Sequence, residues 1–178
     1  MNRRSNNNPD REPENITAFE RLLAHNPKAK IVWVHLGMDT TDQRSPAMTR
    51  RLLAKHQNLY INIKVNQRFA GKHWVFKGGR GLNPEWREVF MEFPGRFMVG
   101  TDGFYPSPMA DVQNPLPIFR EVLGTVKSLP PRIARMVAYE NAERIYGLNV
   151  VEKKERTATA GPATPAPKTG NPKFLSGG

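Results

Sequence analysis

The chain has 178 residues, 38% of them hydrophobic, a formal net charge of +11 at pH 7 and no cysteine. That length suits one domain with an ordinary core, and the lack of thiols excludes disulfide scaffolds, thiolate metal sites and cysteine nucleophiles. No apolar run approaches the roughly 18 residues of a membrane span, and the polar N-terminus lacks the apolar stretch of a signal peptide, so a cytoplasmic protein is expected.

Residues 1–15 carry no large apolar side chain after Met1 and read as a disordered lead-in. A helix follows, with Thr17 and Glu20 at capping-box spacing and Phe19, Leu22 and Leu23 as its apolar stripe. Ile31 to Val34 reads as a buried strand whose apolar run ends at His35-Leu36-Gly37. Ser45-Pro46 supplies an N-cap and first-turn proline for a helix carrying Met48, Leu52 and Leu53, which ends near Lys55. Asn58 to Val65, rich in β-branched and aromatic residues, is the second strand.

A loop with Gly71, Gly78, Gly79 and Gly81 comes next. Asn83-Pro84 repeats the cap-and-proline signal, and Trp86, Val89, Phe90 and Phe93 fall on one helical face before Pro94-Gly95 stops it. Phe97 to Thr101 is the third strand, followed by a loop marked by Pro106 and Pro108. Leu116, Phe119, Val122, Leu123 and Val126 outline another helix, and Pro131 to Tyr139 and Glu140 to Tyr146 two short ones, the last stopped by Gly147. Residues 152–178 shift to Ala, Thr, Pro, Gly and Lys and read as a disordered basic tail, which leaves 16–151 as the folding body.

Strands alternating with helices call for a parallel sheet with right-handed crossovers, an α/β fold. Chemistry in such folds gathers past the carboxyl ends of the strands, and two strand ends here carry ionisable groups: His35, and Asp102 in Gly100-Thr101-Asp102-Gly103. With one strand between them, their Cα atoms would lie roughly 10 Å apart, close enough to share a substrate or metal. Asn62 and Lys64, near the end of the middle strand, could line the same site, although alternation along a half-exposed strand explains them equally well. His56 reads as capping the exposed end of its helix, His25 lies near a helix end, and His73 in the glycine-rich loop reads as a surface residue. The positive charge is spread without a long basic run in the body, so nucleic-acid binding is not the favoured reading.

In this order the chain resembles the amidohydrolase-related superfamily of metal-dependent hydrolases and decarboxylases, which are (β/α)8 TIM barrels. The resemblance is carried by Val34-His35-Leu36-Gly37, by Leu52 to Asn62, by Phe93 to Asp102, and by Asn141-Ala142-Glu143-Arg144-Ile145-Tyr146-Gly147-Leu148. It corresponds to strands six, seven and eight, and so implies a partial barrel of about three parallel strands with crossover helices. It also implies that His35 orients or polarises a small-molecule substrate, and that Asp102 ligates a divalent metal, commonly zinc, and can take a proton from metal-activated water. The family's first-strand His-x-His pair and fifth-strand histidine have no counterpart, since no His-x-His occurs in the chain. A catalytic zinc normally has three protein ligands, and a full barrel takes about 250 residues.

Three readings follow. The chain is a fragment or divergent member of that family: either the carboxyl-terminal part of a longer protein, with a truncated reading frame or a split gene the leading explanation, or a chain completed by copies of itself or by a partner supplying the missing strands. Alternatively it is a non-catalytic partial-barrel module acting by association, or, less favoured, a basic nucleic-acid or anion binder.

Overall fold

A computed structural model describes residues 15–36, 41–64, 71–76, 81–100 and 116–148. The expected tail, and the lead-in apart from Asn15, lie outside these residues. Three parallel strands, β1 (Ile31–Leu36), β2 (Leu59–Ile63) and β3 (Phe97–Val99), form one sheet in the order β1-β2-β3. Ile31 pairs with Leu59 and Ile61 with Phe97, so the strands run in step and their carboxyl ends share one edge. This is the expected α/β arrangement of a partial TIM barrel, and among the described residues the sheet is not closed.

Alternation along the strands separates two faces. Leu59, Ile61, Ile63 and Phe97 are fully buried, and belong to one core cluster with Leu23 of α1 (Ile16–His25), Leu52 and Leu53 of α2 (Pro46–Lys55), and Trp86, Val89 and Phe90 of α3 (Pro84–Glu92). That face is the helix side of the sheet. Trp33 extends it to β1 by packing against Phe19, with ring centroids 5.1 Å apart. Val32, Val34, Tyr60, Asn62 and Met98 take the opposite face, as their register requires.

The caps of α2 and α3 follow the sequence signals: Ser45 Oγ accepts from Met48 N, and Asn83 Oδ1 accepts from Glu85 N. The start of α1 does not. Its N-cap is Asn15, not Thr17, and the Glu20 carboxylate is engaged by α2 instead, with Lys55 Nζ at 2.8 Å and Arg51 Nη1 at 3.0 Å. Those bonds hold the Glu20 carboxyl down at about 2, the hydrogen bond from Lys55 contributing most. His56 joins this cluster, with Nε2 3.4 Å from Glu20 Oε1, and is buried at the end of α2, not exposed there.

The two short helices expected near the carboxyl end are joined without a break: α5 (Pro131–Arg135), a π-helical turn at Met136–Glu140, and α6 (Asn141–Tyr146), with Gly147 closing the run at φ 66°. This segment covers part of what an incomplete barrel would expose. Asn141 Nδ2 donates to Phe97 O at 2.8 Å and to Pro94 O at 2.7 Å, which occupies a carbonyl on the outer edge of β3. Further along, Lys30 Nζ donates to Ile145 O at 3.1 Å, and Arg96 stacks on Tyr60 at 5.0 Å. Both contacts lie toward the amino-terminal end of the second face. Between β3 and α5, α4 (Leu116–Lys127) turns Val122 and Thr125 inward, while Leu116, Phe119 and Leu123 stay exposed, so the expected stripe is only partly a core face.

Candidate active site

Strict alternation would send His35 to the helix side with Trp33 and leave Leu36 on the other face. A bulge prevents this: Val34 pairs with Asn62 and Leu36 with Ile63, so two residues of β1 span one step of β2. Leu36 is thereby fully buried in the core cluster, and His35 becomes the extra, half-buried residue at the strand's carboxyl end. Its φ of 65° lies in the left-handed region, which costs a non-glycine residue about 1–3 kcal/mol. Arg44 holds the bulge from the following loop. Its Nη1 donates to His35 O at 3.1 Å, and its guanidinium lies 5.9 Å from the centre of the Trp33 ring. Nothing in the sequence pattern singled out Arg44.

The ends of the other two strands lie alongside. Lys64 N donates to Leu36 O at 3.2 Å, and Gly100 N donates to Ile63 O at 3.0 Å, so the ladder continues one residue past β2 and β3. Asn62 and Lys64 share the face opposite Ile63. The Asn62 side chain lies against Gly100 so closely that a Cβ there would stand 2.5 Å from Asn62 Oδ1. A larger residue at that position would have to push the Asn62 amide aside, a constraint that the bare Gly-Thr-Asp-Gly pattern does not reveal.

The loops beyond this edge are tied together. Asp42, with φ 58°, accepts at Oδ1 from Lys72 N at 2.9 Å, joining the segment after β1 to the segment after β2. In the latter, His73 O accepts from Trp86 Nε1 at 2.8 Å, which anchors that segment on α3. His25 is exposed on α1 and His56 belongs to the Glu20 cluster, so neither reaches the carboxyl edge. Asp102 lies outside the described residues, two positions past Gly100.

A model of the amidohydrolase family matches residues 6–148. The chain belongs to the amidohydrolase family. No curated protein and no solved structure matches it significantly. The amidohydrolase match runs through all three strands and ends with the last helix, and members of this family typically use divalent metals and act on small molecules. The described part of this amidohydrolase does not fit such a metal by itself, because no group of three or more His, Asp or Glu side chains comes together among the described residues. Nor is any helix among them long and apolar enough to cross a membrane.

Proposed function

We propose that this chain supplies the carboxyl-terminal side of an amidohydrolase active site, acting on a small molecule by hydrolysis or, in the related chemistry, decarboxylation. The observation that carries the reading is the bulge at His35. A histidine kept in a left-handed conformation, where glycine would be unstrained, sits at the carboxyl end of a parallel strand in an amidohydrolase chain. In this reading His35 is the catalytic residue that hydrogen-bonds the substrate and stabilises charge developing on it. Asp102 is the second catalytic residue and the chain's metal ligand, with zinc the ion the family resemblance favours. The remaining ligands belong to the strands of the barrel that the described residues do not contain, carried by a longer form of this chain or by a partner. Purification of the tagged chain from its own source tests this: the proposal expects an assembly whose metal and hydrolytic activity are both lost in Asp102→Ala, with activity alone lost in His35→Asn. A metal-free assembly would overturn it.

A second reading, a non-catalytic module acting by association, draws on Val34, which is 50% exposed on the open side of β1, and on the exposed stripe of α4. It expects the same assembly without a metal.

A further inference from the structure

Main-chain hydrogen bonds across the bulge give Arg44 a part that its place in a loop does not suggest. Ile31 N donates to Asn58 O, one residue before its partner Leu59, and in a parallel ladder that phase repeats at every second residue of β1. Unbroken pairing would therefore set His35 opposite Ile63 and have Lys64 N donate to His35 O. The observed bond goes to Leu36 O instead, at 3.2 Å, because Leu36 takes the place opposite Ile63. The bulge thus takes the ladder donor away from the His35 carbonyl, and Arg44 Nη1 supplies another at 3.1 Å.

Arg44 immediately precedes the N-cap of α2. Ser45 N donates there to Gln43 O at 2.9 Å and Ser45 Oγ accepts from Met48 N at 3.1 Å, so the Arg44 main chain is held at the helix start. Its guanidinium lies 5.9 Å from the centre of the Trp33 ring, on the side of the sheet that unbroken alternation would give to His35. Two registers therefore compete at the end of β1. The bulged one buries Leu36 completely and strains His35 at φ 65°. The unbroken one relieves His35, returns its carbonyl to Lys64 N and turns Leu36 out of the core.

We infer that Arg44 is a positioning residue of the site: by holding the carbonyl that the bulge frees, it selects the bulged register and with it the place of His35. That His35 is catalytic rests on the amidohydrolase reading, whereas that Arg44 sets its place does not.

The test is nuclear magnetic resonance on the isotope-labelled full chain. In the wild type, the scalar coupling across the hydrogen bond of Lys64 N is expected to reach the Leu36 carbonyl carbon, and His35 to show the strong amide-to-Hα Overhauser effect of positive φ. Coupling to the His35 carbonyl carbon, or the weak effect of an extended His35, would overturn the inference without any variant. Arg44→Met removes the donor and should raise the share of the unbroken register about tenfold or more, as loss of a charge-assisted hydrogen bond does. That share is read as a second set of His35, Leu36 and Lys64 signals, or by relaxation dispersion at these residues, with Lys64 N coupled to His35. Arg44 and His35 each make a further interaction, so Arg44→Lys, which can still donate to the carbonyl, is the control and should keep the wild-type pattern. A merely structural arginine would lower the stability of the fold and leave the pattern unchanged. A folded Arg44→Met with the bulged pattern alone would overturn the inference, as would equal switching in Arg44→Lys. Metal content separates the two proposals: a metal-free assembly refutes the amidohydrolase mechanism alone, and a register unmoved by Arg44→Met refutes the Arg44 assignment alone.

Discussion

Replacing His35 by glycine, asparagine and valine tests the bulge on which the site depends. In a regular strand, valine is favoured over glycine by about 1 kcal/mol. At φ 65° that order inverts. Glycine escapes the left-handed strain of about 1–2 kcal/mol and gives back about 0.5–1 kcal/mol as lost chain entropy. Asparagine tolerates the same region, whereas a β-branched valine is an outlier there. The expected ranking in urea denaturation is glycine and asparagine at or above wild type, with valine about 2 kcal/mol below glycine. Arg44→Ala should cost about 1–2 kcal/mol in the wild-type background, through loss of its bond to the His35 carbonyl. It should cost less beside His35→Gly, where the backbone needs less support. Valine more stable than glycine would show that His35 occupies an ordinary strand position and would refute the argument.

Three further outcomes are expected elsewhere in the fold. Glu20→Gln should destabilise by about 1–2 kcal/mol near neutral pH, a range set below the full shift because solvent screens the exposed lysine and arginine partners. Because the folded carboxyl is held at about 2 against an ordinary 4.5, this stabilisation is complete above 4.5 and disappears as pH falls toward 2, so wild-type and variant denaturation midpoints should converge in acid. Asn141→Ala should cost about 2–3 kcal/mol by leaving the Pro94 and Phe97 carbonyls without their shared donor, measured by the same denaturation assay. Gly100→Ala forces Asn62 aside, and a double-mutant cycle with Asn62→Ala should show a coupling of about 1 kcal/mol, the second change relieving the first.

The strands and helices were legible because their signals are local. Ser45-Pro46 and Asn83-Pro84 set two helix starts, and the Trp86, Val89, Phe90 spacing set the core face of α3, without reference to the rest of the chain. Glu20 misled for the opposite reason. Its capping-box spacing competes with Lys55 and Arg51, 35 and 31 residues away, and the tertiary ion pairs prevail. The end of His35's strand was visible as a place, but not its direction: alternation alone points it into the helix layer, and only the register of β1 on β2 reveals the bulge. Arg44 and Gly100 were hidden similarly, since each matters through one contact across the sheet edge. The bonds from Asn141 to Phe97 and from Lys30 to Ile145 likewise join segments that sequence spacing does not connect.

The proposal that His35 and Asp102 form one side of an amidohydrolase site completed by the missing strands of the barrel is tested most directly by native mass spectrometry of the tagged protein purified from its own source. The account predicts an assembly larger than the single chain, holding one zinc or other divalent ion per site and losing it in Asp102→Ala while the assembly persists. An assembly free of metal, or a metal content unchanged by Asp102→Ala, would contradict it.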